Sequence, residues 1–299
     1  RGLGDVYKRQ KWFLFKLAFF YPRVYAFSAY HRKREKRREF EDKIFLFYRG
    51  HHESEQIKKI VKGVLELKGV RKVMRYLIPR MDAHYIQWFI EVKGLHHLDE
   101  SLKEGRGVLL MAGHMGIPHL AFNALRVIGY DLILLSGVTP KMPKHPRVRY
   151  YDTHENTIFV HDPSLSAVYK QRILETFQSG KLIYYDGDAG EGRIKECIPF
   201  LGREMDFPTG MIYLAHQAKA AIVPFFHLYR RGRMTLIFEE AIDHHWEKGE
   251  EEYKRILNEF VRMLESYVLD YPEQYLGIYG PTVLNYYYQS YKADQAGGR

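Results

Sequence analysis

Between residues 89 and 270 two hydrophobic periodicities alternate along the chain. Short apolar runs occupy 89–93 (FIEVK), 107–112 (GVLLMA), 131–135 (DLILL), 157–160 (TIFV), 181–186 (KLIYYD), 221–227 (AIVPFFH) and 234–239 (MTLIFE). Runs this short predict strands. The segments 98–104, 117–128, 163–179, 208–219 and 248–270 predict helices. Strand–helix alternation predicts an α/β layered domain. Such sheets carry their sites at the carboxyl ends of strands.

Upstream the pattern differs. Ile57, Ile60, Val61, Val64, Leu65, Val70, Val73, Met74 and Leu77 recur at helical spacing. They predict one amphipathic helix over 55–78, or a pair broken around Gly69, with a Lys/Arg-rich opposite face. Residues 12–30 (WFLFKLAFFYPRVYAFSAY) hold nine aromatics, interrupted by Lys16, Pro22 and Arg23. A spanning helix needs about 20 apolar residues with few charges, so this is a marginal span. Six of the seven residues 32–38 are basic. An aromatic segment followed at once by a basic cluster predicts an interfacial anchor on anionic lipid. The positive-inside rule puts that cluster on the cytoplasmic side. A buried amphipathic helix with a solvated basic turn, or a nucleic-acid arm, would also carry the cluster. A basic arm alone does not require nine aromatics beside it.

Charge sharpens the division. Residues 1–99 hold 23 Lys/Arg against 11 Asp/Glu, a net +12, and the chain total is +10, so the other 200 residues sit near −2. A basic arm on a near-neutral body predicts a polyanionic partner: nucleic acid, anionic lipid or a phosphorylated substrate. The 299 residues allow one large domain or two small ones. Cys197 is the only cysteine, which excludes a disulfide framework and a Cys-based metal site. One coding of Asp5-Val6-Tyr7-Lys8-Arg9-Gln10 is GAT-GTG-TAT-AAG-AGA-CAG, which looks like a transposase mosaic-end adapter. Residues 1–10 are therefore expected to be an artefact joined to a gene fragment. The expected organisation beyond them is a membrane-association segment at 11–38, a helical region packing on the body at 39–88, the α/β domain at 89–292 and a disordered tail at 293–299.

Candidate chemistry starts at Gly113-His114-Met115-Gly116-Ile117-Pro118-His119. An apolar strand runs into a glycine-flanked histidine, and Pro118 suits the first turn of a helix. The glycines let backbone or ligand approach closely. The N–H groups of Met115 and Gly116, at the helix start, could hold a developing oxyanion. A histidine that titrates near neutrality is the usual base for a hydroxyl proton. A satisfied structural histidine at a turn would share this pattern. A second candidate is the loop from Asp186 through Gly187 and Asp188 to Arg193. Acids and one Arg after a strand suit a substrate with phosphate or sugar hydroxyls, although an ordinary Gly/Asp turn has the same composition.

An ordered set of segments then resembles a family. It comprises Ile90-Glu91-Val92-Lys93-Gly94-Leu95-His96-His97-Leu98, Glu104 through Leu110 and on to His114, and Lys181 through Asp188. It continues with Arg193, Ile198-Pro199-Phe200-Leu201-Gly202, Phe207-Pro208-Thr209-Gly210, Ala220 through Phe225, and Tyr271-Pro272-Glu273-Gln274-Tyr275. Together these resemble the bacterial lipid A late acyltransferases, the lauroyl/myristoyl transferase group of the lysophospholipid acyltransferase-like superfamily. The resemblance implies a central mixed sheet flanked by helices. It implies an enzyme at the cytoplasmic face of the bacterial inner membrane, moving a fatty acyl chain from acyl carrier protein or acyl-CoA to a lipid or glycolipid hydroxyl. The thioester is a co-substrate; no cofactor, no metal and no nucleic acid is implied. The family signature is a His followed five residues later by Asp or Glu, the His acting as base and the acid orienting it. His114 takes the first position. Asp186, Arg193 and Arg149 are expected to hold substrate.

This chain departs from the signature in two places. His119 stands where the acid is expected, and it cannot supply a negative charge. Either His119 substitutes, or another carboxylate (Asp186, Asp188 or Glu155) swings in, with Asp188 counted among the catalytic candidates. Otherwise the protein is a catalytically degenerate lipid binder. His-x4-His is not a zinc spacing. After Tyr275 the basic stretch of the family is replaced by Leu276-Gly277-Ile278-Tyr279, which separates the acyl-transfer expectation from the lipid A acceptor in particular.

Overall fold

The computed structural model describes residues 20–32, 34–48, 53–78, 81–136, 156–160, 166–188, 194–245 and 249–276. The expected artefact at 1–10, the first part of the aromatic segment, Arg149, Glu155, Arg193 and the tail at 293–299 lie outside these residues. The chain forms two compact units, one of Met81–Asp270 and one of its two ends, residues 1–80 and 271–299. The expected bounds of 39–88 and 89–292 therefore differ from the observed ones at both joins. The helix at Ala83–Phe89 runs directly into the first strand, and the short helix at Pro272–Leu276 packs on the Ser54–Leu77 helix.

The larger unit is an α/β layer. Its strands are β1 (Ile90–Lys93), β2 (Val108–Ala112), β3 (Leu132–Ser136), β4 (Thr157–Phe159), β5 (Leu182–Asp186), β6 (Lys195–Phe200), β7 (Arg203–Pro208), β8 (Ala221–Arg230) and β9 (Arg233–Phe238). Seven of them form one sheet in the order β1-β9-β8-β2-β5-β3-β4, and β6 pairs β7 separately. All pairs in the main sheet are parallel except β8–β9, so the sheet is mixed. Every residue of β2 is buried. That is the continuous apolar run expected of a central strand covered on both faces.

Two hairpins share one turn chemistry. Arg230 pairs Arg233 across Arg231-Gly232, and Phe200 pairs Arg203 across Leu201-Gly202. All four loop residues have positive φ, between 51° and 83°, which is the type I′ turn of two-residue hairpins.

In chain order the helices of this unit fall mostly between strands. They are α4 (Ala83–Phe89), α5 (Leu95–Lys103), α6 (Pro118–Ile128), α7 (Ser166–Gln178), α8 (Gly210–Ala218) and α9 (Glu250–Asp270). Pro118 does open α6, and Gly129 at φ 110° closes it. The smaller unit holds α1 (20–32), α2 (Arg34–Phe47), α3 (Ser54–Leu77) and α10 (Pro272–Leu276). Gly69 does not break α3. A Cβ there would stand 2.7 Å from Pro22 Cα, so the glycine marks where α1 crosses. The basic residues at 32 and 34–38 are helical rather than a turn. Among the described residues no helix is long and apolar enough to cross a membrane.

Candidate active site

Strand register explains which side chains meet. Ala112 of β2 pairs Asp186 of β5 on one side and Phe225 of β8 on the other. Two residues further along each strand path stand His114, Asp188 and His227. Three residues far apart in sequence thus reach the same level, at the carboxyl end of the sheet where α/β sites form.

His114 is held on two sides. Its Nδ1 lies 2.6 Å from Asp188 Oδ1, and its backbone N–H donates to Asp188 Oδ2 at 2.9 Å. Asp188 is fully buried, so this short charge-assisted contact is shielded from water. The Met115 N–H donates to the Gly113 carbonyl at 2.7 Å, closing a γ-turn around His114. The Gly187 N–H donates to the Ala112 carbonyl at 2.7 Å and ties the ends of β5 and β2 together. A Cβ on Gly113 would stand 2.5 Å from Leu264 Cδ1 of α9. The corner therefore packs closely against α9 at Gly113, where an added side chain would push the Leu264 side chain aside.

On the other ring nitrogen, His114 Nε2 is 3.6 Å from Asp186 Oδ2. Asp186 keeps 22% of its side chain exposed. Burial nevertheless raises its carboxyl above the ordinary range; His114 lowers it, Asp188 raises it further, and a hydrogen bond from Tyr184 lowers it. The Tyr184 hydroxyl donates to Asp186 Oδ1 at 3.3 Å and lies 3.0 Å from His227 Nε2. His227 is fully buried, and burial, aided by His114, lowers its pKa to about 3.

The expected site residues separate accordingly. His114, Asp186 and Asp188 come together. The group at His114 Nδ1 is Asp188, so of the alternatives left open for the missing acid it is this carboxylate, and not His119, that stands at that nitrogen. His119 is instead in the first turn of α6, half-exposed, with its carbonyl accepting from the Asn123 amide at 2.7 Å. The expectation for Met115 is corrected: its N–H is spent on Gly113, because the γ-turn turns it inward. Gly116 has φ 52°, and a Cβ there would meet the His227 carbonyl oxygen at 2.3 Å. Its N–H has no backbone partner among the described residues. Arg193 and Arg149 lie outside those residues. Among the described residues no group of three or more His, Cys, Asp or Glu is arranged to hold a metal ion. Tyr184 and His227 were not expected; the only signal was a polar group at strand parity inside the runs 181–186 and 221–227.

The chain resembles the 1-acyl-sn-glycerophosphate (LPA) acyltransferase PlsC from Thermotoga maritima at 15% identity and a TM-score of 0.39, over 86% of this chain and 97% of that one. No curated protein matches the sequence. The model of the bacterial lipid A biosynthesis acyltransferase family matches residues 19–279. The chain belongs to that family and is an acyltransferase.

Proposed function

We propose that the protein moves a fatty acyl chain from an acyl thioester, on acyl carrier protein or coenzyme A, to a lipid or glycolipid hydroxyl, with His114 as general base. The observation that carries this reading is the 2.6 Å contact between His114 Nδ1 and buried Asp188. With Nδ1–H donated to a carboxylate, Nε2 carries the lone pair. Nε2 takes the acceptor hydroxyl proton as that oxygen attacks the thioester carbonyl carbon. The tetrahedral adduct collapses, the C–S bond breaks, and the thiolate takes the proton back from Nε2–H. An ester and a free thiol result. Asp188 orients the imidazole and balances its charge between the two transfers. The Gly116 N–H is the remaining candidate donor to the oxyanion. Asp186, beside Nε2, is on the acceptor side, and Arg193 and Arg149 are assigned to phosphate or sugar groups of the substrate.

The degenerate lipid-binding alternative arose from a missing acid. Asp188 supplies a carboxylate at the required nitrogen and favours turnover. Membrane association at the cytoplasmic face of the inner membrane is supported by exposed Phe20 and Phe27 on α1, followed by the basic residues at 32–38. Anionic lipid is the polyanion proposed for this face rather than nucleic acid, because no nucleic-acid reading motif accompanies the charge. An acidic carrier protein would be steered by the same field.

The test is acyl transfer by the purified protein from acyl carrier protein or acyl-CoA thioesters to lysolipids and glycolipids, with the product identified by mass spectrometry. Transfer that is lost in His114→Ala is expected. Absence of transfer with every donor, or full activity in His114→Ala, would overturn the reading.

A further inference from the structure

The turn between β8 and β9 carries charge that the proton transfers above do not use. Residues 230–233 read Arg-Arg-Gly-Arg, and the arginines are exposed. Arg230 pairs Arg233 across the hairpin, with Arg231 in the turn between them. Like charges set opposite each other on a sheet repel, so nothing within the hairpin favours this set. No acidic residue occurs from 221 to 238, or from 83 to 90 on the adjoining α4. Glu91, level with Thr235 on the neighbouring β1, is engaged by Lys93 at 3.6 Å and by the Thr235 hydroxyl at 3.4 Å.

Beside the turn stands Trp88, 44% exposed near the end of α4. Its carbonyl accepts from the Arg233 guanidinium at 3.4 Å, and its ring centroid lies 4.4 Å from that of His84. Arg233 and Trp88 therefore belong to one surface, with Arg231 next to it. Arginine and tryptophan are the side chains most enriched among the residues that dominate protein–protein contacts. Every residue of β8 before Arg230 is buried, and so is Met234 after the turn. The turn is thus a fixed projection from the core, and little has to be ordered when a partner meets it. It also stands at the right end of the sheet. β8 adjoins β2, and His227 of β8 reaches the level of His114. Arg230 is three residues further along β8, roughly 10 Å at the ordinary strand rise.

We propose that Arg231, Arg233 and Trp88 form the docking surface for the protein that delivers the acyl thioester, a carrier protein with an acidic face. Carboxylates of that face meet the two guanidinium groups, whose planar forks suit them. Trp88 packs on apolar surface beside them. The thioester, at the end of a flexible prosthetic arm, reaches back along the strand direction to His114. An anionic lipid surface fits less well: the turn sets charges around a single ring, whereas an interfacial seat buries a continuous apolar face. The inference rests on the acyl-transfer function proposed above and narrows its donor to a thioester held on a protein.

The experiment measures transfer from acyl carrier protein and from the matching acyl-pantetheine, a thioester with neither a protein surface nor a phosphate. It compares wild type with the Arg231→Asp/Arg233→Glu double variant. Aspartate tolerates the left-handed conformation that Arg231 holds at φ 51°, so the turn is kept. The KM for acyl carrier protein is expected to rise at least about tenfold, with the acyl-pantetheine KM the same in both proteins. Added salt should raise the wild-type carrier-protein KM and barely move that of the variant. Arg231→Lys/Arg233→Lys keeps the charge and should lose far less, and Trp88→Ser should raise the carrier-protein KM alone. An unchanged carrier-protein KM in the charge-reversed variant, or an equal loss with both donors, overturns the inference. So does weakened binding to anionic vesicles with that KM unchanged, which would make the turn a lipid contact. Titration calorimetry with holo acyl carrier protein needs no turnover: the charge-reversed variant should bind at least about tenfold more weakly than wild type, and equal affinities overturn the inference. A wild type that binds the carrier protein through this turn but transfers from no donor strikes the acyl-transfer function instead.

Discussion

His227 links the site to stability through pH. In the folded protein its pKa is lowered to about 3 by burial and by His114, whereas an exposed histidine titrates at about 6.5. Between these values the unfolded chain holds a proton that the folded chain lacks. Stability therefore rises with pH across this window and falls on acidification. The expected share is about 1.4 kcal/mol per pH unit below about pH 6.5, ending near pH 3. Urea unfolding at several pH values, wild type against His227→Gln, checks this. The variant should show the shallower pH slope, and equal slopes would contradict a neutral buried imidazole. At this same scale the sequence was legible only in part. His114 stood out because a strand, two glycines and a proline frame it. Its partner was narrowed only to His119 or one of three carboxylates, because the five-residue spacing holds His119 while Asp188 lies 74 positions away. Only the pairing of Ala112 with Asp186 brings Asp188 level with His114, and strand register is not written in linear spacing.

At the scale of elements, the corner between β2 and α6 depends on two glycines for different reasons. Gly116 has φ 52°, and an added Cβ meets backbone. The one clash at Gly113 would be with the end of the Leu264 side chain, which can rotate away, and Asp188 Oδ2 would stand in ordinary contact at 3.7 Å. Gly116→Ala is expected to destabilise by about 1–3 kcal/mol from the backbone conformation alone, and by more than Gly113→Ala. Denaturant midpoints of the two variants measure the difference, and the reverse order would contradict the packing described. The seven strands of the main sheet were legible from their apolar runs. The β6–β7 hairpin was not: its strands alternate exposed and buried residues, and Pro199 and Glu204 break the apolar signal. Its turn relies on Leu201 at φ 51°, a residue no turn rule would select. At Gly69 one helix and a broken pair were both left open; the helix is unbroken there, and the glycine permits a close crossing by α1.

For the whole molecule, the two chain ends form their own unit, and the segment Tyr271–Tyr275 belongs there rather than to the sheet unit. That unit presents Phe20 and Phe27, 63% and 69% exposed, one turn-multiple apart on α1. Phe20→Ser with Phe27→Ser should weaken binding to anionic vesicles at least about tenfold, since each buried phenylalanine contributes roughly 1.5–3 kcal/mol. Added salt should weaken wild-type binding too. Vesicle co-sedimentation reads both, and unchanged binding would remove α1 from the membrane contact. The central claim, that Asp188 does the work of the acid missing after His114, is tested most directly by kcat of Asp188→Asn in the acyl-transfer assay. An amide keeps the shape but cannot balance the imidazolium, so a loss of about 10³–10⁴-fold is expected with the fold retained, and far less in His119→Ala. A kcat for Asp188→Asn within about tenfold of wild type would contradict the claim.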